Sequence, residues 1–522
     1  MNFSYAKEAS ENVKADALVI PAFESDNPLK DYACGPAVSK LFLKGDFTGK
    51  SGQIMVLPAQ GAVKADRVIL LGLGKVEKAC GKVIADALAD VYRHGSIDAQ
   101  KIKTLAIATE VAGEPEGVKA RDLGRAIADA AIFGSYRFLN HHTKDKHVKR
   151  VWVEKTLIAG VPAKHLAELK TGQERGAIVA TYTCHARDLV NEPSNFMKPR
   201  HLAKFAKDMA AKIPGLKCRV LEKPELEKLK MGSFLGVNAG SADPARLIIL
   251  EWNGGKKGDK PLAYVGKGLC FDTGGYNIKP NSLGMKGDMG GGAATICALG
   301  AIAALKLPIN AVGVVPATEN EISGTAYHPG DILHSMSGQT IEVDNTDAEG
   351  RLILCDALTY TQRNYKPRVV VDMATLTGAA VVAVGSKFVA MMGNDAETIE
   401  HFEHAFNRVG ENVWELPLPD CYDKLLDSPV ADMKNIGGNP GTITAGLFLR
   451  RFVDEGQKWV HLDIAGSALY DGDNWGLWNA KSPTGSPVRA LVEYAEHCFA
   501  NPGHKLDSEH GHKHGDGHLH KH

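Results

Sequence analysis

Short apolar runs alternate with helix-spaced segments through the first 160 residues of the chain. ALVIPAF, GQIMVLPA, RVILLGLG, TLAIATEVA and VKRVWVE have the aliphatic, β-branched content of strands. Between them, VIADALADVYRHG and ARDLGRAIADAAIFGSYRFL space their apolar residues three and four apart, which predicts helices. Strand–helix alternation of this kind predicts an α/β domain over residues 1–160. A longer helical pattern, AKHLAELKTGQERGAIVATYTCHARDLV, follows and predicts a linking helix across 161–185, closed by the two prolines of NEPSNFMKP.

From residue 186 the alternation resumes with a different texture. LIILEWNG, LAYVGKGLCF, INAVGVVPA, RVVVDMATL and WVHLDIAG are nearly continuous in apolar character, which suits strands of a mostly parallel sheet covered by helices on both faces. GGGAATICALGAIAALKL, LILCDALTYTQRN and TAGLFLRRFVDEG supply the helices. The expected fold class is therefore α/β, a smaller amino-terminal domain and a larger one over 186–502. Residues 503–522, HKLDSEHGHKHGDGHLHKH at their core, hold almost nothing apolar and predict a disordered histidine-rich tail able to bind divalent ions through neutral imidazoles.

Composition narrows the function classes. Lys plus Arg and Asp plus Glu both number 61, so no global charge draws the chain to nucleic acid or an anionic membrane. VEKACGKV and HTKDKHVKR are local basic stretches and read as solvated faces. No uninterrupted apolar run reaches the roughly 18 residues of a membrane span, and the charged amino terminus lacks the apolar region of a signal peptide. Nine scattered cysteines without a CxxC pair predict reduced thiols in the cytoplasm.

Four segments share one chemistry. GKGLCFDTGGYNIKP carries Lys267, Asp272 and Lys279; GMKGDMGGG carries Asp288; NTDAEGRL carries Asp347, Glu349 and Arg351. Taken alone, an acid-x-acid beside an arginine reads as a solvated turn. Several such segments at strand ends would instead bring four carboxylates together, a cluster that must take up protons or hold cations. Two divalent ions would neutralise it, and oxygen ligation suits Mg or Mn while still admitting Zn. In extended backbone Asp347 and Glu349 would share a face.

NTDAEGRL resembles the signature of the leucyl aminopeptidases, the two-metal cytosol aminopeptidases. GKGLCFDTGGYNIKP, DMGGGAAT, TLTGA, HLDIAGSA and ARDLVNEPSN are similar to that family's other blocks and stand in its order. The resemblance implies that Asp272 and Glu349 bridge two metal ions, Zn or Mn. Lys267 and Asp288 would complete the tighter site and Asp347 the more exchangeable one. Lys267 would ligate as a neutral amine. Lys279 and Arg351 would be the catalytic cations, Arg351 holding a bicarbonate. Met285, Asn345, Thr375, Leu376, Gly378 and Ala465 would bind substrate; all but Asn345 would border the pocket for the first side chain, and their small or apolar character fits a leucine-like residue. Short peptides as substrates, a homohexamer and cleavage from the amino end are further implications. The loop between Lys279 and Asp288 is two residues shorter than the family's usual one. A DNA-binding regulator on the same fold is the competing reading, against which the neutral charge weighs.

Overall fold

The computed structural model describes residues 1–110, 118–144 and 149–500. The histidine-rich tail and the middle of HTKDKHVKR lie outside them. The chain divides into two compact units, Met1–Cys184 with Asp471–Ser482, and His185–Tyr470 with the remainder. One helix, Leu166–Asn191, runs across the boundary in the chain.

The first unit holds a six-stranded sheet in the order Asn2–Tyr5, Lys155–Ala159, Thr104–Ala108, Ala17–Phe23, Arg67–Gly74 and Ile54–Pro58. All pairings are parallel except the last. The unbroken apolar run at 17–22 is explained by its two faces: Ala17 and Val19 enter one core, Leu18, Ile20 and Ala22 the other. The expected strand VKRVWVE is displaced. The ladder forms at Lys155–Ala159, while Trp152 lies under the Arg137 and Arg150 guanidinium groups at 4.1 and 4.9 Å. The helix expected to reach Leu139 ends at Gly134, whose carbonyl accepts from Arg137 Nη1 at 3.1 Å.

The second unit is built on a mixed sheet in the order Asn412–Glu415, Phe388–Gly393, Lys458–Asp463, Val369–Ala374, Leu262–Gly266, Asn310–Asn320, Arg246–Asn253 and Lys217–Glu222. The four middle strands, Lys458–Asp463 through Asn310–Asn320, run parallel, and Gly268–Asp272 adds a parallel pairing to Asn310–Asn320. Their carboxyl ends therefore meet along one edge, where ligand sites of parallel sheets form. LAYVGKGLCF, expected as one strand, is two strands broken at Lys267.

Two helices begin at that edge, Gly290–Ala304 and Gly350–Tyr365. The segment Met285–Ala304, interrupted by Lys286 and Asp288, is long and apolar enough to cross a membrane, but it is almost wholly buried inside the unit as a core helix. Its glycine entry permits that depth. A Cβ on Gly291 would lie 2.1 Å from the Met373 carbonyl oxygen, so any side chain would push the helix off the sheet.

Candidate functional site

Each charged group predicted from the sequence arrives at the sheet edge by its own local route. Lys267 sits in the break after Leu262–Gly266, its N–H donating to the Met373 oxygen at 3.0 Å and its carbonyl accepting from Gly292 at 2.7 Å. Asp272 closes the strand Gly268–Asp272. Lys279 follows a turn in which Gly274 and Gly275 take φ of +86° and +61°, a backbone that favours glycine. Asp288 lies two residues before the helix Gly290–Ala304, at the positive end of its dipole.

Asp347 and Glu349 do not converge by strand alternation, as extended backbone would have it. They lie on a turn and on the residue preceding the helix Gly350–Tyr365, where Glu349 is already helical at φ −79°, ψ −32°. The nearby strand Thr340–Glu342 belongs to a separate three-stranded sheet. The turn is set by Asn345, whose side-chain oxygen accepts the Asp347 N–H at 2.7 Å.

The result is a buried cluster of alternating charge. Lys267 Nζ lies 2.8 Å from Asp288 Oδ2, 2.7 Å from Glu349 Oε1 and 3.1 Å from the Thr375 carbonyl oxygen. Lys279 Nζ lies 2.8 Å from Asp272 Oδ2 and 2.5 Å from Asp347 Oδ1. Two ammonium groups thus face four carboxylates, leaving negative charge in excess. Burial and the neighbouring Asp272 carboxylate push Glu349 up to about 8. Burial above all raises Asp288 to about 6. Asp347 is raised by burial and by Asp272. For Lys267, burial opposes the charge, yet Asp288, Glu349 and Asp272 together hold the amine well above its ordinary value. Lys279 follows the same pattern, with Asp272 and Glu349 outweighing burial.

A cation fits this arrangement. Oxygens of Asp272, Asp288 and Glu349 lie within 4.8 Å of one another. Glu349 Oε2 is buried and accepts no hydrogen bond, an expensive condition for a carboxylate oxygen unless a cation meets it. Arg351 is not the partner of these acids. Its guanidinium makes no ion pair among the described residues; Nη1 donates to the Asn435 carbonyl at 3.0 Å and Nε is buried without a partner. Burial lowers it to about 10, still a cation at neutral pH.

Comparison with known proteins bears on this cluster directly. Residues 184–492 match the family model "Cytosol aminopeptidase family, catalytic domain", and residues 19–145 match "Cytosol aminopeptidase family, N-terminal domain". The chain belongs to the cytosol aminopeptidase family. A probable cytosol aminopeptidase of Nitrosococcus oceani is 42% identical over 506 residues, covering 95% of this chain and 98% of that one. One from Alkaliphilus metalliredigens is 40% identical over 505 residues, covering 95% and 99%. Among solved structures, the bottromycin maturation enzyme BotP in complex with Mn aligns with TM-score 0.82 at 32% identity, over 93% of this chain and all of that one. A tomato leucine aminopeptidase mutant aligns with TM-score 0.81 at 31% identity, over 95% and 96%. Membership makes this chain a metal-dependent N-terminal exopeptidase.

Of the residues expected to bind substrate, Thr375 and Asn345 touch the cluster. Thr375 Oγ1 donates to Asp288 Oδ1 at 2.6 Å. Leu376 and Ala465 are tied together because both N–H groups donate to Asp463 Oδ1 at 3.1 Å. Gly378 is exposed at the start of a helix, and Met285 is half-buried in a single 3-10 turn. Asn345 uses its side-chain oxygen on the turn described above.

Sequence reasoning left out a set of polar residues that hold this region. Asn320, Asn277, Thr346 and Asn435 each bond to segments carrying the charged residues, and Asp463 holds the Leu376 and Ala465 backbone. Asn277, Thr346 and Asp463 lie inside the quoted segments GKGLCFDTGGYNIKP, NTDAEGRL and HLDIAGSA, and that placement was the signal that could have marked them.

Proposed function

We propose that the chain removes leucine-like and other apolar residues from the amino ends of short peptides. The cluster of two lysines and four acids beside an unpaired Arg351 carries this reading. Lys267, Asp272, Asp288, Asp347 and Glu349 would hold two divalent ions, Zn or Mn, with Asp272 and Glu349 shared between them. When bound, such ions polarise the scissile carbonyl and raise the acidity of a water molecule.

The chain's own groups do the rest. Lys267 is an ammonium among carboxylates alone, so ligation requires it to lose a proton, a change that adjacent dications favour. Lys279, kept cationic by Asp272 and Glu349, donates N–H groups to the carbonyl oxygen as it gains charge. Arg351, with its buried Nε unmatched by the protein, holds an anion, bicarbonate, beside the reacting centre. Asp288, fixed by Thr375, faces the substrate's free amine, which limits cleavage to one residue at a time. Met285, Asn345, Thr375, Leu376, Gly378 and Ala465 receive the first residue. Family membership supports a homohexamer working in the cytoplasm.

The test is hydrolysis of a leucine arylamide with added Mn or Zn, with and without chelator, against glutamate and lysine arylamides. Activity that needs metal and favours leucine is expected. A folded protein inactive in every metal, or one preferring a charged residue, would overturn the reading.

A further inference from the structure

Asn320 ends the strand Asn310–Asn320 and is fully buried. Its Nδ2 donates twice, to Asp272 Oδ1 at 2.8 Å and to the Thr346 carbonyl oxygen at 3.0 Å. Both targets are acceptors, so the opposite amide orientation would set oxygen against oxygen; chemistry fixes the one described. Asp272 Oδ1 also accepts the Gly274 N–H at 2.8 Å. Two donors thus occupy one oxygen of Asp272 and leave Oδ2 turned to the cationic side, where Lys279 meets it.

Thr346 stands beside Asp347 and links the same two segments again. Its hydroxyl donates to the Gly274 carbonyl at 2.6 Å and accepts the Asn277 N–H at 2.8 Å, and its own N–H donates to Asn277 Oδ1 at 2.8 Å. Tyr327 OH donates to the Thr346 carbonyl at 2.7 Å. The approach is so close that a Cβ on Gly275 would lie 2.9 Å from Thr346 Oγ1 and 3.1 Å from Asn320 Oδ1.

We infer that Asn320 is a positioning residue for the metal centre. It locks the segment carrying Asp272 to the segment carrying Asp347 and Glu349, and it presents a single oxygen of Asp272 to the ions. Of the residues in this clasp, Asn320 alone both touches a ligating carboxylate through its side chain and bridges to the other segment. The inference rests on the proposal that these acids hold divalent ions.

The experiment measures Mn and Zn affinity by chelator competition for the full chain, Asn320→Ala, the similarly shaped but apolar Asn320→Leu, and Tyr327→Phe. The visible absorption of Co-loaded protein is recorded alongside, because it reports the geometry around the ion. Loss of partners behind a ligand typically costs 10–100-fold in metal affinity. Both Asn320 variants should fall in that range and alter the Co spectrum. Tyr327→Phe, which touches Thr346 but not Asp272, should lose less and leave the spectrum unchanged. Asn320→Leu keeps the site filled, so it serves if Asn320→Ala does not fold. Wild-type affinity and an unchanged spectrum in a folded Asn320 variant would overturn the inference while leaving the metal site standing. Absence of metal binding by the unaltered chain would overturn both.

Discussion

Gly350 offers a sharp test of how tightly the cluster is built. It begins the helix Gly350–Tyr365, is buried, and has a φ outside the left-handed region, so alanine fits its backbone. By helix propensity alone, Gly350→Ala should stabilise, by up to about 1 kcal/mol. The new methyl, however, would sit 2.7 Å from Lys267 Nζ and 2.9 Å from its Cδ and Cε. Lysine is flexible, but this amine is held by Glu349, Asp288 and the Thr375 carbonyl. Reaching ordinary contact needs a shift of about 0.7 Å, which carries a 2.7 Å bond past the roughly 3.2 Å limit of a good N–H···O geometry. A charge-assisted bond lost this way costs about 1.5–3 kcal/mol. The net penalty is roughly 1–2 kcal/mol, or about five- to thirtyfold in metal affinity if it falls on the centre. Chelator competition with Mn or Zn reads the affinity, and melting of the chelated protein reads stability. Unchanged affinity together with a raised melting temperature would refute the steric reasoning, because only the propensity effect would then remain.

Two further substitution sets separate holding ions from using them. Glu349→Ala and Asp272→Ala should each lose metal and turnover, whereas Lys279→Ala should keep both ions, counted by elemental analysis, and lose turnover; turnover surviving in Glu349→Ala would remove Glu349 from the site. Behind the centre, Asp372 accepts from Trp459 Nε1 and His461 Nδ1, both at 2.6 Å and all buried. Burial works against charge on His461, but Asp372 outweighs it and raises the imidazole above its usual 6.5. A raised folded value adds stability that is complete below 6.5 and fades as pH climbs through the folded value. Asp372→Asn should therefore destabilise by about 3–5 kcal/mol at pH 6 and by less at pH 9, measured by denaturant unfolding; an equal gap at both pH values would count against a charged pair.

The charged residues of the site were legible in the sequence because charge beside apolar strand-like runs is conspicuous. Lys267, Asp272, Lys279, Asp288, Asp347 and Glu349 do meet at one edge, and Arg351 stands in the first turn of the helix that Glu349 precedes. The route by which Asp347 and Glu349 reach it was not legible: alternation predicted a strand, and the Asn345 turn with a helix start provides the convergence. Asn320 and Asn435 were invisible for a different reason. A buried asparagine has no periodic signature, and its role exists only through partners far away in sequence. The edge strands Asn412–Glu415 and Lys217–Glu222 also escaped notice, because residues at a sheet margin mix polar and apolar character. In the first unit VKRVWVE misled because its tryptophan satisfies itself between two arginines, and the ladder takes the next apolar stretch instead.

Asp471–Ser482 groups with the first unit although the chain on either side belongs to the second. Leu477 shares a core with Ile84 and Leu88, Lys82 lies 5.6 Å from the centre of the Trp475 ring, and Arg93 Nη2 donates to the Gly476 carbonyl at 2.6 Å. During synthesis, residues 1–184 leave the ribosome first, yet their core waits for a fragment made only after nearly all of the site-bearing unit. The earlier unit is therefore completed late, and a chain begun at His185 would carry Leu477 and two tryptophans without the surface that shelters them.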